Sequence, residues 1–191
     1  MPLADEGAPT AGTSARYSLA ARRLHWIVAV LVACMIPLGL NMVARGEATN
    51  FDATTGSLYS LHKLTGFLLL WLVVLRVLVR LRRGAPAPVA TLTPFERLAS
   101  RVVHGALYAL LLAVPLLGWA GVSAYPALDV FGLFSLPAIL PPDEALANRL
   151  FSVHGLLALT LGVLALAHIA AALRHRFIKR DGVLARMWPP G

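Results

Sequence analysis

Cysteine and acidic side chains are both scarce in this chain. Its 191 residues include one Cys and nine Asp and Glu. The lone Cys34 excludes an internal disulfide. It also excludes a thiolate cluster for zinc or iron–sulfur supplied by one copy of the chain. Charge of either sign is thin, at 14% against 58% hydrophobic residues, with a mean hydropathy of +0.73. Soluble domains run nearer a quarter charged, so the apolar excess has no interior large enough to fill and has to face lipid. The 17 Lys and Arg outnumber the acids and give a net charge of +8. On a soluble fold that balance would suggest nucleic acid. Here the positive charges flank apolar runs, which marks membrane orientation, and no nucleic-acid partner is expected.

Four apolar runs are present: Leu24 to Ala44, Leu61 to Leu81, Val102 to Val122 and Leu150 to Leu173. Each is close to the ~20 residues that cross ~30 Å of hydrocarbon as a helix. The fold class this predicts is all-α, a transmembrane four-helix bundle over residues 16–188. Pro37 and Pro115 lie inside runs and are tolerated in such a bundle. Thr93-Pro94-Phe95-Glu96 reads as a helix start, with Thr93 as cap and Glu96 closing a capping box. Leu128 to Leu140 is apolar but too short to span and is broken by Gly132 and Pro137, so it is expected at the membrane interface. Residues 1–15 carry Asp5 and Glu6 and no apolar core. They are expected as a disordered cytoplasmic tail rather than a cleaved signal. Fourteen of the 17 Lys and Arg fall on the termini and the connection between runs two and three; only Arg45, Lys63 and Arg149 fall on the other side. The positive-inside rule then predicts both termini in the cytoplasm of a bacterial inner membrane protein, N-in and C-in.

Ionisable side chains within membrane runs are costly and point to function. No Asp or Glu lies in any of the four runs, which weakens the alternative reading as a proton or ion transporter built on buried His and Arg. The histidines fall at two depths. His62 and His154 lie at the periplasmic ends of runs two and four; His25, His104 and His168 lie toward the cytoplasmic ends of runs one, three and four. His154 and His168 are separated by fourteen residues, a rise of about 21 Å and a rotation within about 40° of whole turns. They therefore share one face of one helix at two levels. Pairs of imidazoles on facing helices are the natural axial ligands of a low-spin haem, whose remaining chemistry is one-electron transfer. The pairing read here is His62 with His154 and His25 with His168. His104 has the same depth as the second pair and competes for the place of His25. With no C-x-x-C-H motif, two non-covalent b haems are expected.

Small and basic residues complete the candidate site. Gly66 follows His62 by one turn and Gly155 follows His154, which leaves room for a flat macrocycle. Arg76 lies fourteen residues after His62, and Arg80 one turn beyond; either suits a haem propionate or a quinone carbonyl. His175 follows His168 by seven residues on nearly the same face, placed to exchange a proton with a quinone, although its basic neighbours Arg174 and Arg176 also fit a plain cytoplasmic rim. Glycines 118, 121 and 162 read as helix-packing positions, and Trp26, Trp119 and Trp188 as interfacial anchors.

The segments RYSLAARRLHW, LHKLTGFLLLWLVVLRVLVRL, HGALYALLLAVPLLGWAG and FSVHGLLALTLGVLALAHIAAALRHRF together resemble the bacterial cytochrome b561 family of small four-helix dihaem cytochromes. The resemblance covers roughly residues 16–188. It implies that His25, His62, His154 and His168 are the axial ligands and that electrons are exchanged with the quinone pool, ubiquinone among them. One branch of that family, superoxide oxidase, takes electrons from periplasmic superoxide; other members would serve a periplasmic redox partner. Attraction of superoxide would want a positive outer face. The outer loops hold Arg45, Lys63 and Arg149 against Glu47, Asp52, Asp129, Asp143 and Glu144, a net of −2.

Overall fold

The computed structural model describes residues 16–188. The expectation for residues 1–15 lies outside the described residues. Four helices of 31 residues each, α1 (Leu19–Thr49), α2 (Ala53–Arg83), α3 (Pro94–Ala124) and α4 (Glu144–Arg174), run up and down in sequence. At 1.5 Å per residue each is about 46 Å long, so all four outreach a hydrocarbon layer of about 30 Å. The apolar runs are the middles of these helices. The ends beyond them are polar turns secured by caps.

Those caps follow from residue chemistry. Ser18 Oγ accepts from Ala21 N at 3.3 Å, Asp52 Oδ1 from Thr55 N at 2.8 Å and Asp143 Oδ1 from Leu146 N at 2.9 Å. Each meets a first-turn N–H that has no partner within its helix. Thr93 and Glu96 form the capping box expected from the sequence, with Pro94 in the first turn where its missing N–H costs nothing. α1 ends on Asn50 in the left-handed region, φ 50°, and α2 ends on Gly84 at φ 68°. Pro37 and Pro115 sit within continuous helices.

Packing is strongest within two hairpins, α1 with α2 and α3 with α4, joined along α2 and α3. Val28 and Val32 of α1, Leu69 and Val73 of α2, Val114 of α3 and Leu161 of α4 form one buried apolar layer across the middle. Most other large apolar side chains face outward: Val30, Leu40, Trp71, Leu156, Val163 and Leu166 are each more than half exposed. A row of such side chains around a whole bundle is what lipid covers.

Two ends can be distinguished. At the terminal end the C-terminal residues return to α1. Trp26 Nε1 donates to the Met187 carbonyl at 2.8 Å, Tyr17 N to that of Arg186 at 3.2 Å, and the Trp26 and Trp188 rings meet edge-on at 6.1 Å. At the other end the α3–α4 connection forms a small antiparallel hairpin, β1 (Asp129–Val130) with β2 (Phe134–Ser135). It does not span, as the sequence implied. Val130 is fully buried, while Phe131, Leu133 and Phe134 are exposed. Lys63 Nζ donates to the carbonyls of Ala127 and Asp129, and Phe131 N donates to Ser60 Oγ at 3.1 Å, so α2 holds this hairpin down beside His62.

Candidate functional site

The bundle brings the histidines together in the two layers read from the sequence. At the hairpin end the rings of His62 and His154 face each other at 6.1 Å between centres, with planes 80° apart. At the terminal end His25 and His168 face each other at 6.4 Å and 78°. Imidazole nitrogen binds a first-row metal at about 2.0–2.1 Å, and adding the nitrogen-to-centre distance of each ring gives roughly 6 Å for two rings on opposite sides of one ion. Both pairs match that spacing. His104 stands closer to His168, at 5.1 Å and 70°, and its Nδ1 lies 3.2 Å from Ser100 Oγ. Among the described residues no group of three or more His, Cys, Asp and Glu could enclose a metal ion. Paired histidines alone suit a metal whose other ligands come from a macrocycle.

The two rings of the hairpin-end pair are held by different means. His154 Nδ1 lies 2.8 Å from the Val114 carbonyl. A carbonyl can only accept, so Nδ1 carries the proton and Nε2 is the free donor to a metal. His62 Nδ1 is buried and meets no hydrogen-bond partner among the described residues. Gly39 of α1 lies against the His62 ring and Gly118 of α3 against the His154 ring. Gly66 instead faces Met35 Cε at ordinary spacing, 3.5 Å from where a Cβ would stand, while the space over Gly155 is open. Gly121 packs on Phe151 and Gly162 on Ile36, as read from the sequence.

The terminal end concentrates positive charge around its pair. Arg76 is an electrostatic neighbour of His25, His104 and His168; its guanidinium donates to the Ala21 carbonyl at 3.3 Å and lies 5.5 Å from the Tyr108 ring centre. Arg80 lies 5.5 Å from the ring centre of Tyr17. His175 opens a π-helical turn, His175–Lys179, and its Nδ1 is 2.6 Å from Asp181 Oδ2. The Asp181 side chain is 3% exposed, and its Oδ1 accepts from Val183 N at 3.2 Å. His175 is thus set in a dyad rather than loose on a basic rim. Asp181 was not singled out from the sequence; a carboxylate six residues beyond a histidine was the available signal. Trp26 and Trp119 also have internal partners, Trp119 Nε1 donating to the Pro137 carbonyl at 2.8 Å.

Two stacked histidine pairs inside a lipid-facing helical bundle define a membrane protein that holds a redox cofactor in its core. A sequence profile described as prokaryotic cytochrome b561 matches residues 16–190. The chain belongs to that family, and is therefore a haem b-binding electron-transport protein of the membrane. It is 37% identical over 176 residues to cytochrome b561 homolog 2 of Escherichia coli (strain K12), covering 92% of each chain. It is 30% identical over 176 residues to a probable superoxide oxidase CybB of Yersinia pestis, covering 91% of this chain and 96% of that one. Cytochrome b562 of Cereibacter sphaeroides is 29% identical over 171 residues, covering 87% and 91%.

Proposed function

We propose that the chain holds two b haems, one between His62 and His154 and one between His25 and His168, and passes electrons between ubiquinone and a one-electron partner at the opposite membrane face. The observation that carries this is the ring spacing, 6.1 Å and 6.4 Å in pairs set at two levels of α4. His104, at 5.1 Å from His168, is too close to stand across an ion from it and is the spare. Bound haem supplies one-electron transfer. His62 with His154, and His25 with His168, would hold the metals from the protein and leave no site on them for substrate. Val28, Val32, Leu69, Val73, Val114 and Leu161 exclude water from the space between the pairs. The quinone is assigned to the terminal end, where Arg76, Arg80 and His104 offer polar contacts and His175, held by Asp181, exchanges the proton that quinone reduction consumes. By the distribution of Lys and Arg this end is cytoplasmic, in a bacterial inner membrane.

Superoxide is the outer substrate that one relative's name suggests. Two of the three cations there are already engaged, Arg45 with Asp52 at 2.6 Å and Lys63 with the hairpin carbonyls. A second redox protein is the other outer partner. The experiment that tests the core proposal is a pyridine haemochrome assay on purified protein, with two haems per chain expected and one or none overturning it. Enzymatically generated superoxide should then reduce the haems if it is the donor, and leave them oxidised if a protein partner is required.

A further inference from the structure

The two rings at the hairpin end rest on glycines of the helix paired with their own. A Cβ at Gly118 would stand 3.1 Å from both Cε1 and Nδ1 of His154, and a Cβ at Gly39 would stand 3.2 Å from Cε1 of His62. Such contact is not general in the bundle, since Gly56, Gly105 and Gly155 have nothing within 4 Å. The arrangement is repeated once per hairpin: α1 seats the histidine of α2, and α3 seats that of α4. The seats differ in one respect. His154 reaches past Gly118 to donate Nδ1–H to the Val114 carbonyl at 2.8 Å, whereas His62 Nδ1 meets no partner among the described residues.

We propose that Gly39 and Gly118 are positioning residues for the hairpin-end haem, and that Gly118 admits the hydrogen bond by which Val114 tunes it. This rests on the reading of His62 and His154 as ligands. A side chain at Gly118 would displace the ring by a few tenths of an ångström, because the packed helices cannot part cheaply to absorb it. The displaced ring would lengthen its bond to the Val114 carbonyl. A ring N–H donated to a carbonyl makes the opposite nitrogen a stronger donor, which favours the oxidised metal. Weakening that bond therefore raises the reduction potential. Among the described residues His62 has no such bond to lose, so crowding at Gly39 displaces its ring without that electronic effect.

The same α3–α4 interface supplies a control. Gly121 also packs closely, but on Phe151, with no ligand ring involved. If Gly118 served only to bring helices together, Gly118→Ala and Gly121→Ala would act alike. The test is a redox titration of each haem, with the low-spin ferric EPR g values, in the purified full-length protein. Gly118→Ala should keep two haems, shift one midpoint upward and move the g values of that haem alone. Gly121→Ala and Gly56→Ala should leave both midpoints where they are. Unchanged potentials in Gly118→Ala, or an equal shift in Gly121→Ala, would overturn the proposal. Should Gly118→Ala fail to accumulate, electron–nuclear double resonance on the unmutated ferric protein decides. An axial-imidazole N–H protected from exchange in D2O is expected, and its absence overturns the proposal. His154→Ala separates the premise: two haems retained in that variant would refute the ligand reading itself.

Discussion

His25 and His104 offer His168 the same chemistry, and only position separates them. Depth along a helix can be counted from residue numbers, so both were legible at the right level. The distance across the bundle cannot be counted, because it depends on how each helix is rotated against its neighbours. The spacings of 6.4 Å and 5.1 Å are what favour His25 in the proposed pairing. His25→Ala is expected to remove one haem and leave the other, while His104→Ala keeps two; haem-to-protein ratios check both. The same limit explains the glycines. Gly66 was chosen for its place on the helix of His62, yet the glycines touching the His62 and His154 rings, Gly39 and Gly118, come from neighbouring helices. Asp181 was hidden for another reason: it sits in a turn between Arg180 at φ 51° and Gly182 at φ 77°, where no periodicity reports direction. His175→Ala should keep both haems and their reduced spectrum but slow their oxidation by a water-soluble ubiquinone analogue, as stopped-flow absorbance would show. Unaltered kinetics would remove His175 from the quinone site.

Helix identity was legible at the scale of the element because hydropathy averages over many residues. Helix length was less so. Hydropathy reports the part matched to lipid, whereas the polar turns at the ends are held by caps that obey local chemistry. Thr93 shows that such caps can be read when the motif is complete. Thr93→Ala removes the side-chain half of the capping box, in which Thr93 Oγ1 accepts from Glu96 N, and should cost about 1 kcal/mol, measured by denaturant unfolding in detergent. The turn between α1 and α2 carries a pH dependence of known sign. The guanidinium of Arg45, with help from Thr55, holds the Asp52 carboxyl well below the usual carboxylate range. A lowered value means that the ion pair is fully present above the ordinary pKa and is lost only as pH falls through the depressed one. Acidification to about pH 4, near the ordinary carboxyl value, should therefore leave amide protection in residues 49–55 unchanged once exchange is compared with the unstructured-chain rate at each pH. The outer hairpin is a different case, since its charged anchor is Lys63, with the Ser60 hydroxyl beside it. Lys63→Met should speed amide exchange at residues 129–135 while leaving the helices protected.

For the whole molecule, the apolar middle layer joins the two halves of the site. Leu161 lies seven residues from His154 and seven from His168, on the face that carries both. It is 5% exposed, and Leu161→Ala should lower stability by roughly 2–5 kcal/mol through the cavity it leaves. Both chain ends are expected on the cytoplasmic side, so a C-terminal reporter that is active only in the cytoplasm should be active here, and one needing the periplasm silent.

The two histidine levels of α4 have an electrical consequence. They stand about 21 Å apart along the helix, most of the thickness across which a membrane voltage falls. A charge moved from one level to the other therefore does work against, or gains work from, that voltage. A full crossing amounts to about 2.3 kcal/mol per 100 mV, and this path to a large fraction of it. In the proposed arrangement the division of electrons between the two levels becomes a voltmeter. In sealed vesicles with one haem's worth of electrons per protein, imposing a diffusion potential should shift occupancy toward the level on the positive side, and reversing its sign should reverse the shift.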